Sequence, residues 1–488
     1  MPLLNDLGNK VFGENFVGRK NLVRQLQREC TSQNFSIVGL PKIGKTSLVY
    51  HSIIHNRQSV SKKDDHEFIP VFINCSPAST VSEFFDSIIV GIYNAFRMEH
   101  TMNICGDIVK NYTEYQGNVK NNISESVLFF LDSLERLQID IVLILDEFDR
   151  VRDIPGFDGS RFGLLTTIVE KDFIHVITVS KRSLLVIEGW NNNPSEFHTR
   201  FLKKIVGNFN QTEWDEYWNK VSLDDFGEHR IDDMAGLKEK AFHYSGYNPY
   251  WTARFAKCYY DLMLGGDLFD EEKIMNQMID QCYQPMMDFL HDDRNYRNDI
   301  FNTAVQAILG PIYNISIRNI NFLKEYGFLA EVALDEKLNL FNGNEKNGVF
   351  FTEDGISKSY IAICNHFTSY MSEQLNQYVS PYWSEWDDFF TAWDQLRDDL
   401  FPFSNEFNVS ELSLPQRIRE KWDEQFSLVF DNKGFEWFSL RYNYVVAYKC
   451  LEEKNLPIPN EIIVRRNRYL KHLTECINRA LADHLANI

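Results

Sequence analysis

Gly39-Leu40-Pro41-Lys42-Ile43-Gly44-Lys45-Thr46 fits the pattern G-x-x-x-x-G-K-S/T at every position. Glycines at those places let the backbone curl until its N–H groups face a phosphate chain. The helix that follows adds the positive end of its dipole. Lys45 would reach the β- and γ-phosphates, and the Thr46 hydroxyl would ligate magnesium. The chemistry expected is binding of a nucleoside triphosphate, ATP or GTP, with Mg2+. A second stretch, Ile141-Val142-Leu143-Ile144-Leu145-Asp146-Glu147-Phe148-Asp149, delivers two adjacent carboxylates after five apolar residues. Asp146 would hold the magnesium, directly or through water, and Glu147 would polarise the attacking water. A third apolar run ends in Ser180-Lys181-Arg182. Arg182 would stabilise charge developing on the transferred phosphoryl, and Lys181 competes for that role. The plainer reading of these last residues is a strand end with solvated basic side chains.

Such residues need a frame that gathers strand ends. Residues 34–38, 69–74, 139–145 and 174–179 are short apolar runs of the kind buried on both faces of a parallel sheet. Residues 45–55 read as a helix and 56–65 as a polar loop. Helical patterns between the runs predict an α/β domain, a parallel sheet with helices on both faces, over residues 1–210. Aromatic-rich helical patterns (TEWDEYWNKV, LKEKAFHYSG) predict a helical lid over 211–285. Over 286–378, a helix at 316–326 followed by GFLAEVALDEKLNLF and NGVFFTED predicts a small winged helix. Residues 379–488 read as an all-helical domain.

Bulk composition narrows the function classes. The 488 residues carry a net charge of -19. A surface that negative repels a phosphate backbone unless a basic patch is segregated, so nucleic acid is not the expected partner. The first ten residues lack a signal-peptide pattern. No run of about 18 apolar residues exists to cross a membrane. Eight scattered cysteines without a CxxC pair read as buried thiols in a reducing compartment, so a cytoplasmic location is expected.

Taken together, these stretches resemble the STAND branch of AAA+ ATPases, especially the prokaryotic archaeal-type ATPases. Phe16-Val17-Gly18-Arg19 is similar to their FvGR box, 39–47 (GLPKIGKTS) to their P-loop, and Val71-Phe72-Ile73-Asn74-Cys75 to the strand after it. LILDEFDR resembles their acidic strand and ITVSKRSL their sensor strand. Gly246-Tyr247-Asn248-Pro249 resembles a G-x-P turn whose proline packs near adenine, and 314–370 resembles their winged helix down to a final helix, YIAICNHFTSYMSEQL. The resemblance spans about residues 12–378. It implies a P-loop NTPase fold and adenine as the base. It implies nucleotide contacts from Val17, Gly39, Lys42, Gly44, Lys45, Thr46, Ser47 and Pro249. Arg182 gains weight as the sensor, although Lys181 stays a rival, and Arg19 either contacts nucleotide or packs the linker. The family also implies a slow, regulated ATP hydrolase that self-associates in its ATP form, in signalling or antiphage defence.

Several readings stay open at this stage. The second helix of the winged module, SIRNINFLKEY, carries only Arg318 and Lys324 against Glu325, a poor DNA-reading face. A DNA-handling AAA+ protein of the replication-initiator or transposition-regulator type is nevertheless the runner-up. In the C-terminal region, Trp383, Trp386, Phe389, Phe390 and Trp393 read as a core stripe or as a protein-binding surface. Arg466-Asn467-Arg468-Tyr469-Leu470-Lys471-His472 resembles the R-N-x-x-x-x-H signature of HEPN ribonucleases, with a basic solvated helix face as the ordinary alternative.

Overall fold

The computed structural model describes residues 9–62, 66–99, 102–119, 122–189, 196–224, 233–265, 270–291, 329–332, 350–352, 359–362, 366–367 and 370. The chain divides into two compact units, residues 1–229 and 230–488.

Five strands form the centre of the first unit: β1 (Phe35–Val38), β2 (Glu67–Asn74), β3 (Ile139–Asp146), β4 (Ile174–Ser180) and β5 (Leu202–Ile205). They pair in parallel in the order β2-β3-β4-β1-β5. Every residue of β1, β3 and β4 is buried, as apolar runs covered on both faces must be. The four strands read from the sequence are present. β5 was not foreseen, because its sequence LKKI sits partly exposed at the sheet edge, where lysines replace the apolar signal and discourage further pairing.

Around the sheet run α1 (Lys20–Glu29), α2 (Lys45–Val49), α3 (Val81–Glu99), α4 (Met102–Asn118), α5 (Ile123–Leu134), α6 (Gly159–Val169), α7 (Leu184–Glu188) and α8 (Gln211–Asp224). The helix expected over 45–55 is α2 running into a π-helical segment, Tyr50–His55. Local chemistry sets several starts. The Asn122 side chain accepts from the Glu125 N–H, and the Asp158 side chain accepts from the Ser160 N–H. Phe84, Phe85, Phe130 and Leu165 from the helices share one core with Ile141, Leu143 and Val176 from the strands.

Register decides where the site lies. Val38 pairs with Ser180, Asn74 with Asp146, and Asp146 with Val179. β1, β3 and β4 therefore end at the same edge, and the loops leaving them meet there. In open α/β sheets that carboxyl edge is where ligands are held. The fold is that of a P-loop nucleoside triphosphatase.

In the second unit, α9 (Met234–Ser245), α10 (Pro249–Leu264), α11 (Glu271–Met278) and α12 (Gln284–His291) pack around Trp251, Met278 and Tyr283. A π-helical segment, Ile279–Tyr283, joins α11 to α12, and Tyr283 donates to the Tyr244 carbonyl at 2.6 Å. Three strands, β6 (Leu329–Val332), β7 (Phe350–Thr352) and β8 (Ser359–Ala362), form an antiparallel sheet in the order β6-β8-β7. This corrects the expected final helix beginning at Tyr360: residues 359–362 are a strand. The strand pairs with β6 and β7 on both sides, where the family resemblance implied a helix. The predicted helix at 316–326, the tryptophan stripe and the Arg466–His472 signature lie outside the described residues.

Among the described residues, Cys30, Cys75, Cys258 and Cys282 are buried and form no disulfide, as expected of structural thiols. No helix among them is long and apolar enough to cross a membrane.

Candidate nucleotide-binding site

The loop after β1 has the curl its sequence demands. Lys42 and Gly44 take left-handed backbone angles, φ 59° and 95°. Left-handed residues that alternate with right-handed ones turn N–H groups inward and make an anion-holding concavity. Gly39 is needed for close approach: a Cβ there would lie 2.5 Å from the Val206 carbonyl oxygen. The Lys45 ammonium is buried inside this curl and donates to the carbonyls of Gly39 at 2.9 Å and Leu40 at 2.7 Å. Burial lowers its pKa to about 8, with Asp149 pulling upward and Lys181 pushing further down.

Thr46 and Asp146, far apart in sequence, meet here. The Thr46 hydroxyl donates to the Asp146 carboxylate, 2.9 Å from Oδ1 and 3.0 Å from Oδ2. Burial raises the Asp146 pKa, opposed by this bond, by the Glu147 N–H and by the charge of Lys10. One hydroxyl and one carboxylate are hard oxygen donors. They suit Mg2+, which takes one or two protein ligands and fills the rest of its shell with phosphate oxygens and water. Cys75 lies behind them, its N–H bonded to the Asp146 carbonyl at 2.9 Å. Burial, then the charges of Asp146, Asp149 and Glu147, push its thiol far up, so it is inert.

Glu147 leaves β3 in the left-handed region, φ 53°, a conformation that costs about 1 kcal/mol and turns the side chain away from the strand's path. Its side chain is 48% exposed, with Oε2 3.8 Å from Arg150 Nε, so it is open to a water nucleophile. Asp149, which sequence reading left without a role, is buried and accepts the Lys181 N–H at 3.1 Å. Its signal was its place three residues beyond Asp146. Arg182 is buried, and its carbonyl accepts the Ser180 hydroxyl at 2.6 Å.

A segment before α1 lies over the helix that leaves the loop. The Val11 N–H donates to the Ser47 hydroxyl at 3.0 Å, and the Gly13 N–H donates to His51 Nδ1 at 3.0 Å. Phe16 stacks on His51 with ring centres 4.2 Å apart, and Val17 is buried beside it in the chain. The contacts of Arg19 fit the packing role read for it. Its guanidinium donates to the carbonyls of Gly207 at 2.6 Å and Ile43 at 3.4 Å, and its N–H donates to Glu213. Pro249 belongs to the second unit. It opens α10 at the first turn, after Asn248, whose side chain accepts the N–H groups of Tyr250 and Trp251, each at 3.1 Å.

No family model matches the chain, and no curated protein matches it in sequence. Solved structures do match. A Walker-type ATPase of Pyrococcus abyssi is 15% identical over 75% of this chain and 99% of its own, with a TM-score of 0.48. The ORC2 protein of Aeropyrum pernix, in ADPNP–ADP complexes, is 13% identical over 72% of this chain and 93% of its own, TM-score 0.42. The ORC1 protein of the same organism, in complex with DNA, is 10% identical over 75% and 93%, TM-score 0.38.

Proposed function

We propose that the protein is a magnesium-dependent ATPase of the AAA+ class, acting as a STAND-type switch that self-associates in its ATP form. The single observation that supports the ATPase reading most is the Thr46–Asp146 hydrogen bond beside a buried Lys45. It joins the phosphate loop to the acidic strand with the donor set a Mg–triphosphate requires. Thr46 and Asp146 would hold the magnesium, which neutralises charge on the β- and γ-phosphates. Gly39, Lys42, Gly44, Lys45, Thr46 and Ser47 would cradle the phosphates, and Val17 would add a further nucleotide contact. Glu147 would orient the attacking water, and Arg182 or Lys181 would stabilise the transferred phosphoryl. The domain division expected from the sequence accompanies this reading, with residues 379–488 as the region that senses a protein partner or gives the output in signalling or defence.

The test is the mass distribution of the purified Glu147→Gln variant with ADP and then with ATP. This change slows hydrolysis and retains ATP. A defined higher oligomer with ATP alone supports the switch. A monomer with both nucleotides removes it. Salt-dependent retention of DNA would put a DNA-handling ATPase in its place, and RNA fragments that vanish on His472→Ala would add the ribonuclease.

A further inference from the structure

We propose that Asp149 is a positioning residue for this site: its buried carboxylate fixes the backbone of Lys181, so that Lys181, rather than Arg182, is the cation of the β4 loop that faces the phosphates. This inference rests on the ATPase reading above and deepens it.

Asp149 lies in the helical turn Phe148–Asp153, whose Phe148 and Val151 are fully buried in the core of the first unit. Those anchors on either side leave its carboxylate little room to swing. Its Oδ1 accepts the Lys181 N–H at 3.1 Å. β3 and β4 are paired neighbours, with Asp146 across from Val179, so the two loops start side by side. From the other direction, the Ser180 hydroxyl donates to the Arg182 carbonyl at 2.6 Å and closes a tight turn around Lys181. The Lys181 main chain is thus tied twice, once through its own N–H and once across its flanks. Arg182 follows that turn and is 9% exposed.

Electrostatics give the arrangement its purpose. Lys181 acts on Lys45 as a like charge, and Asp149 is the largest opposing charge that Lys45 feels. Two ammonium groups held near one another are unfavourable unless an anion joins them. Asp149 offsets that repulsion in the protein alone, and a triphosphate would do so in the complex. A bond to a backbone N–H, not to the ammonium, leaves the Lys181 side chain available for that anion.

The test compares Asp149→Ala, Asp149→Asn, Lys181→Met and the Asp149→Ala/Lys181→Met double variant with wild type. ATP affinity, single-turnover hydrolysis and amide exchange over residues 178–184 are measured. Asp149→Ala and Lys181→Met should each slow hydrolysis at least about tenfold, with a smaller loss of ATP affinity than of rate. The double variant should be no slower than Lys181→Met, because Asp149 acts through that lysine. Asp149→Asn should recover most of the rate lost in Asp149→Ala, since its amide oxygen accepts the same N–H. Exchange at the residue-181 N–H should quicken in Asp149→Ala and in the double variant, and stay slow in Asp149→Asn and in Lys181→Met. If Asp149→Ala does not fold, Asp149→Glu, which keeps the charge and moves the acceptor, takes its place with the same expectations. An Asn variant as slow as Ala, additive losses in the double variant, or a Lys181→Met enzyme at wild-type rate would each overturn the proposal. A wild type that binds no ATP removes the ATPase reading, whereas unchanged exchange at Lys181 in Asp149→Ala removes the loop anchor itself.

Discussion

Arg19 and Lys45 are both buried cations of the first unit, and burial lowers both, to about 10 and about 8. Their partners differ. Arg19 draws on separate segments: the Gly207 carbonyl after β5, the Ile43 carbonyl in the phosphate loop, the Phe209 ring 5.5 Å away and the nearby charge of Glu213 on α8. Lys45 bonds only to carbonyls of its own loop, with carboxylates nearby that shift its charge balance. A cation that ties several segments is a brace, and its loss leaves buried carbonyls without a donor. A cation held by its own loop can exchange those carbonyls for phosphate oxygens at little structural cost.

The comparison breaks most visibly at Lys45. Replacing it with Met should weaken ATP binding by about 100-fold or more, the loss of one or two charge-assisted hydrogen bonds. Stability in urea should stay within about 1 kcal/mol of wild type, because a desolvated charge goes with it. Titration calorimetry and urea unfolding read the two halves, and a strongly destabilised Lys45→Met protein would make Lys45 a brace as well. Arg19→Ala should behave in the opposite way, losing roughly 3 kcal/mol of stability through the abandoned carbonyls while ATP affinity changes less than tenfold. Equal losses of binding in both variants would erase the distinction.

Thr46→Val sharpens it further. The hydroxyl that meets Asp146 is lost and the loop curl is kept, so ATP affinity should fall about tenfold with magnesium present and hardly at all in EDTA. The smallest effect is expected at the segment before α1. His51 accepts the Gly13 N–H through Nδ1, so the neutral ring is the bonded form, and burial, then His55, lowers its pKa. The unfolded ring takes up a proton near pH 6.5 and the folded ring only at lower pH. The bond's contribution is thus complete above about pH 6.5 and is lost as pH falls through the folded value. Amide exchange at Gly13 should quicken over that range, by less than about 1 kcal/mol in opening free energy. His51→Gln should abolish the pH dependence.

How much was legible varied with the source of the constraint. β1, β3 and β4 were visible because burial on both faces demands unbroken apolar runs. The loop at 39–46 was visible because its turn tolerates so few residue types. β5 was invisible, since an edge strand with two lysines has no apolar signature. At 359–362 the family resemblance misled, because strand pairing is a long-range contact that no local stretch of sequence contains.

The sequence by itself determined the local chemistry: a glycine loop that curls, a lysine and a threonine at its mouth, and carboxylates at the end of an apolar strand. Only the tertiary structure decided which groups share the site. Parallel register placed Asp146 against Thr46 and put Asp149 under the Lys181 backbone, and packing brought Arg19 to the carbonyls of Gly207 and Ile43. The reason is physical. Curl and helix start are set within a few residues by backbone sterics, whereas the partners of a buried charge come from wherever the packed sheet brings a carbonyl or a carboxylate.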